Sequence, residues 1–136
     1  MAGEERVFIR REDDIVLSRQ RAREVAKRLG FGAVDQSRIA TAVSELARNV
    51  VRYAIDGQGE VTIRELPDAV RRTGIEIVVA DEGPGITDLE QAMSDGFTSG
   101  GGMGMGLPGA KRLMDEMEVE SGAGRATVIT IRKWRR

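Results

Sequence analysis

The sequence contains neither cysteine nor histidine among its 136 residues. Without thiols there are no disulfides, no thiolate nucleophile and no cysteine-bound metal. Without imidazole there is no histidine general base, no histidine metal ligand and no site for autophosphorylation on histidine. A charge excess is missing too. Lysine and arginine number 21 against 22 acids, a net charge of −1, so no field favours nucleic acid and no nucleic-acid partner is expected. No apolar run approaches the roughly 18 residues of a membrane-spanning helix, and Val7-Phe8-Ile9 is too short for a signal peptide. The expectation is no membrane partner and a cytoplasmic location. The basic end, Arg132-Lys-Trp-Arg-Arg136, reads as a solvated terminus.

What is present describes an ordinary globular chain, 40% apolar and 32% charged, organised as one domain over 1–136. Glu5 to Arg11 alternates as a short edge strand. Asp13 or Asp14 caps a helix whose apolar positions Ile15, Ala22, Val25, Ala26 and Leu29 keep helical spacing, and Gly30 closes it. Asp35 or Ser37 caps a second helix lasting to about Ala54. Its apolar side runs through Ile39, Ala40, Val43, Leu46, Ala47 and Val50, with Thr41, Glu45, Arg48, Asn49 and Arg52 opposite. Asp56-Gly57-Gln58-Gly59 is a turn into a strand at Val61–Arg64, and Pro67 to Gly74 is a hairpin connection into Ile75–Ala80. Leu107 to Met117 reads as a helix with Leu113, Met114 and Met117 on its apolar side. Strands follow at Val119–Ser121 and Ala126–Ile131 around Gly122-Ala-Gly124. This order predicts an α+β fold, a mixed or mostly antiparallel sheet with helices on one face.

The chemistry concentrates between Ile75 and Leu113. The apolar run Ile75–Ala80 ends on Asp81, where an ionised carboxylate needs hydrogen-bond donors. Gly83 and Gly85 flank Pro84 and allow close approach of a ligand to the backbone. After a polar interval, the glycines from Gly100 to Gly106 lead into a helix, where free backbone N–H groups favour anions. These parts suit a nucleotide. On the second helix, Glu45 and Asn49 stand one turn apart on the same face, a carboxylate and an amide oxygen placed for a water or a hard cation such as Mg²⁺.

Familiar nucleotide motifs are excluded. Gly104-Met-Gly106-Leu-Pro-Gly109 spells G-x-G-x-x-G but follows a polar interval instead of the first strand of a βαβ unit, so it is no dinucleotide fingerprint. There is no G-x-x-x-x-G-K-[ST], and the H-R-D, D-F-G and Val-Ala-Ile-Lys set of eukaryotic protein kinases is missing.

Taken in order, Glu45-Leu-Ala-Arg-Asn49, Asp81-Glu-Gly-Pro-Gly85-Ile, Gly102-Met-Gly-Met-Gly106-Leu and Gly122-Ala-Gly-Arg-Ala-Thr127 resemble the boxes of the GHKL ATPase superfamily of gyrase, Hsp90, histidine kinases and MutL. Leu29-Gly-Phe-Gly32, the run from Val34 to Asn49, Asp95-Gly-Phe97 and the run from Gly106 to Glu116 extend the resemblance over nearly the whole chain. There it is similar to the switch serine/threonine kinases of bacterial stressosomes.

The resemblance implies a two-layer Bergerat-type sandwich with ATP under a glycine-rich lid. Asp81 would accept from the adenine amino group, Gly83 and Gly85 would let the base lie close, and Thr127 would support the adenine. The looser Gly-Arg-Ala-Thr spacing departs from the usual Gly-x-Gly-Thr at that last position. Asn49 would ligate Mg²⁺, the backbone of Gly102, Gly104 and Gly106 leading into Leu107 would cradle the phosphates, and Glu45 would be the general base. No lysine or arginine lies between Ile86 and Ala110, so the γ-phosphate cation would come from Lys111, Arg48 or a partner. The implied substrates are STAS-domain stressosome proteins, and the implied later partner is a PP2C-type phosphatase. Rival readings are an anti-sigma factor that phosphorylates its STAS antagonist, a detached histidine-kinase catalytic domain, and a non-enzymatic ATP-gated adaptor.

Overall fold

The computed structural model describes residues 4–53, 58–67, 72–81, 107–120 and 127–135. In chain order they form β1 (Glu5–Ile9), α1 (Glu12–Arg28), α2 (Ala33–Tyr53), β2 (Gly59–Pro67), β3 (Thr73–Asp81), α3 (Leu107–Leu113), β4 (Glu116–Glu120) and β5 (Thr127–Trp134). The strands make one five-stranded sheet in the order β1-β2-β3-β5-β4. Every pairing among the described residues is antiparallel. The α+β class and the order of elements are those expected from the sequence.

The sheet is two-faced because its side chains alternate. Val7 and Ile9 on β1, Val61 and Ile63 on β2, Ile75, Ile77 and Val79 on β3, and Ile129 and Ile131 on β5 all join one buried cluster. The helices complete it with Ile15, Val25, Ile39, Val43, Leu46 and Val50, among others. Small residues among the buried positions (Ser18, Ala22 and Ala26 on α1; Ala40, Ser44 and Ala47 on α2) allow the two helices to pack closely.

Several boundaries differ from expectation, each for a local reason. Helix α1 begins at Glu12, and Asp14 caps it from the third helical position, its carboxylate accepting from the N–H groups of Arg10 (2.9 Å) and Arg11 (3.2 Å). Its C-terminus is as expected. Gly30 takes φ 90°, its N–H donates to the Lys27 carbonyl, and that of Phe31 donates to Ala26, the two bonds of a Schellman close. Helix α2 starts at Ala33, before the expected Asp35 or Ser37, because Gln36 bonds backward twice. Its N–H donates to the Gly32 carbonyl at 2.9 Å and its side-chain amide to that of Phe31 at 2.8 Å.

Helix α3 ends at Leu113, so Met117 does not lie on it as expected. The Asp115 N–H turns to the Arg132 carbonyl (2.9 Å), and Met117 enters β4 opposite Ile131. The C-terminal run is also not a solvated tail. Strand β5 continues to Trp134, Lys133 is 5% exposed, and Arg132 pairs with Glu76 at 2.8 Å.

Candidate active site

At one end of the sheet the register brings Ile9, Gly59, Asp81 and Thr127 into a single row across β1, β2, β3 and β5. All of them point to the helix-covered face, in phase with the core residues of their strands. Asp81 is 8% exposed and Thr127 2%. The buried Ile75, Ile77 and Val79, on the same face of β3, deliver a carboxylate to this position. Asp81 also lines a cleft at this end of the sheet that takes in both faces, Ile9 and Gly59 on one and Phe8, Glu60 and Ala80 on the other.

Gly59, expected in the turn before β2, is the first residue of that strand and lies in this row. A methyl group there would stand 2.5 Å from the Ala80 carbonyl oxygen, 2.8 Å from Val50 Cγ1 and 3.2 Å from Asp81 Cβ. Its bare backbone therefore lets the turn of α2 that carries Val50 settle over the row. The signal available in the sequence was a glycine ahead of an alternating strand, which is weak.

That turn also holds Asn49, 9% exposed, one turn beyond Glu45. The two differ in surroundings. Asn49 is buried, whereas the Glu45 side chain is 39% exposed, and Arg48 Nη1 lies 3.3 Å from its Oε1. An amide oxygen can ligate a hard cation, and a half-exposed carboxylate one turn away can take a proton. No group of three or more acidic side chains forms a metal cage among the described residues. A Mg²⁺ that keeps its waters and uses one protein oxygen fits this donor set.

Leu107 opens α3 and is fully buried in the core that α2 and α3 share. Gly83, Gly85, Gly102, Gly104 and Gly106 lie outside the described residues. The far end of α3 is fixed from β5. Lys133 Nζ donates to the Leu113 carbonyl at 2.9 Å, with Asp35 at 3.9 Å and Asp115 at 4.0 Å. A cation at a helix C-terminus is favoured by the helix dipole.

The five-stranded antiparallel sheet with helices on one face is the architecture of an ATPase-type nucleotide-binding domain. Residues 9–133 match the model of the histidine kinase-like ATPase domain, and the chain belongs to that family. It is 52% identical over 130 residues to the serine/threonine-protein kinase RsbT of Bacillus subtilis (strain 168), covering 96% of each chain. It is 39% identical over 100 residues to an anti-sigma F factor of Caldanaerobacter subterraneus, covering 71% of this chain and 68% of that one. Among solved structures, the RsbU and RsbW domains of a Mycobacterium tuberculosis protein superpose with a TM-score of 0.64 at 19% identity. That match spans 98% of this chain and 33% of the longer one, and it speaks for the fold alone. No helix among the described residues is long and apolar enough to cross a membrane.

Proposed function

We propose that this chain is a single-domain cytoplasmic switch kinase. It transfers the γ-phosphate of ATP to a serine or threonine of a STAS-domain stressosome protein, and is then released to activate a PP2C-type phosphatase. The kinase class rests on the similarity to RsbT along nearly the full length of both chains. The observation that carries the chemistry is the division of labour on α2, Asn49 buried and Glu45 half-exposed.

In this reading Asp81 accepts from the adenine amino group, Thr127 supports the ring from the neighbouring strand, and Gly83 and Gly85 leave room for it. The backbone of Gly102, Gly104 and Gly106, running into Leu107, cradles the phosphates. Asn49 holds Mg²⁺, which when bound neutralises phosphate charge. Glu45 takes the proton of the acceptor hydroxyl. A modest base suffices, because phosphoryl transfer is mainly positioning and charge neutralisation.

The test incubates the protein with Mg²⁺, radiolabelled ATP and a STAS protein encoded nearby, with Glu45→Ala and Asn49→Ala beside it. Label on serine or threonine, lost in both variants while their circular dichroism is unchanged, is the expected result. Undiminished transfer by Asn49→Ala would refute the metal site. The similarity to an anti-sigma F factor favours a second reading, a kinase that also sequesters a sigma subunit. Capture of a sigma factor by the pure protein would select it.

A further inference from the structure

Charge on the transferring phosphoryl group has to be met by a cation, and the segment between Ile86 and Ala110 contains none. Among the described residues, Lys133 is committed to the Leu113 carbonyl and 5% exposed. Lys111 and Arg112 are exposed on α3, and Arg52 is exposed past Asn49. Arg48 differs from all of these. Its guanidinium already lies 3.3 Å from the Glu45 carboxylate, and its side chain is 34% exposed.

We propose that Arg48 is the catalytic cation of phosphoryl transfer, a role that rests on the kinase reading given above. An acceptor hydroxyl served by Glu45 must sit within about 3 Å of that carboxylate. The γ-phosphorus must sit about 3–3.5 Å from the hydroxyl oxygen. The transferring group therefore lies within roughly 6–7 Å of a carboxylate that the guanidinium already touches. Arg48 has five N–H donors in a planar fork, so one edge can stay on Glu45 while the other turns to the equatorial phosphate oxygens. Leaving Glu45 altogether is also easy. An exposed pair at this helical spacing shifts an equilibrium by only about twofold.

In the step, Glu45 takes the proton of the acceptor hydroxyl as its oxygen bonds to the γ-phosphorus. The bond from that phosphorus to the β–γ bridging oxygen breaks, and its electron pair leaves with ADP. Arg48 donates to the equatorial oxygens while their charge is redistributed. A guanidinium meeting charge that is largest in the transition state lowers the barrier without tightening ATP binding.

The experiment compares wild type with Arg48→Ala, Arg48→Lys and Lys111→Ala. It reads kcat, KM for ATP and for the acceptor protein, ATP affinity by calorimetry, thermal midpoint, and affinity for ADP with tetrafluoroaluminate in the presence of acceptor. Arg48→Ala is expected to lose about a hundredfold or more in kcat, and as much in affinity for the fluoroaluminate complex. KM for ATP, ATP affinity and thermal midpoint should stay near wild type, and Arg48→Lys should recover part of kcat. A kcat within about threefold of wild type would make the pair a surface brace and overturn the proposal. So would a loss confined to KM for the acceptor, or a loss found in Lys111→Ala instead. Active wild type with a dead Glu45→Ala and an active Arg48→Ala sinks this inference alone. A wild-type chain that transfers no phosphate removes the kinase reading and this inference with it.

Discussion

Asp81 and Thr127 are direct partners across the β3–β5 ladder, both buried and both on the helix-covered face. Neighbours so placed can serve one ring from two strands, the carboxylate directly and the hydroxyl beside it. Asp81→Asn keeps the size and removes the charge. A hydrogen bond to a charged group contributes about 1.5–3 kcal/mol, so ATP should bind roughly tenfold to a hundredfold more weakly. Thr127→Val should cost only a few-fold. Calorimetric titration of each variant measures this, and ATP affinity within twofold of wild type for Asp81→Asn would remove Asp81 from the nucleotide site.

Gly59→Ala tests the close approach on the other side of Asp81. The added methyl would stand 2.5 Å from a backbone oxygen, which cannot swing aside as a long side chain can. Overpacking of this kind costs about 1–3 kcal/mol, a fall in Tm of roughly 5 °C or more. Because Asp81 and the Val50 turn both border the clash, ATP affinity should fall as well. A variant that melts and binds like wild type would mean that the row has slack.

The parts legible in the sequence are those set by short-range pattern. The apolar run before Asp81, the helical spacing of Ile39 to Val50 and the Glu45–Asn49 pair all describe what the chain does locally, and the expected strand and helix both form, the helix two residues or more early at its start. What escaped depends on long-range partners. Lys133 keeps the two-residue phase of Ile129 and Ile131, yet a lysine near a chain end reads as solvated. The Leu113 carbonyl, with the carboxylates of Asp35 and Asp115 close by, makes its burial tolerable, and all three come from segments distant in sequence. Another long-range partner, the Arg132 carbonyl that accepts from the Asp115 N–H, draws the chain into β4 before Met117. Gly59 escaped because its function is the absence of an atom, which has meaning only once Val50 and Asp81 are in place.

Glu76 on the opposite sheet face sets an acid limit on stability. Its side chain is 5% exposed, and it accepts from Arg64 Nε at 2.6 Å and Arg132 Nε at 2.8 Å. Burial pushes the carboxyl up, but the hydrogen bonds and charges of Arg132 and Arg64 outweigh it and hold the pKa below the ordinary value. A carboxyl lowered in the folded state stabilises above its unfolded pKa, about 4.3, and that contribution disappears as the pH falls through the lower folded value. Glu76→Gln should therefore be less stable than wild type at neutral pH by about 1–2 kcal/mol, with the gap narrowing below about pH 4. Urea melts at neutral and acid pH measure the two gaps. Equal gaps would contradict the linkage.

Lys133→Met separates charge from stem. Methionine fills much the same buried volume, but it leaves the Leu113 carbonyl without its donor and removes the cation between Asp35 and Asp115. An orphaned buried acceptor costs about 1–3 kcal/mol, and most of the loss should appear at the end of α3 and its junction with β4. Helix α3 follows directly on the glycine run proposed to hold the phosphates, so a loosened end should also weaken ATP binding while leaving Glu45 and Arg48 chemically intact. The expected pattern is a lower Tm, faster amide exchange over residues 111–116, and a raised KM for ATP with little change in kcat. Fast exchange with an unchanged KM would show that α3 tolerates a frayed end. Unchanged exchange and Tm would show that the carbonyl finds another donor and that Lys133 anchors nothing.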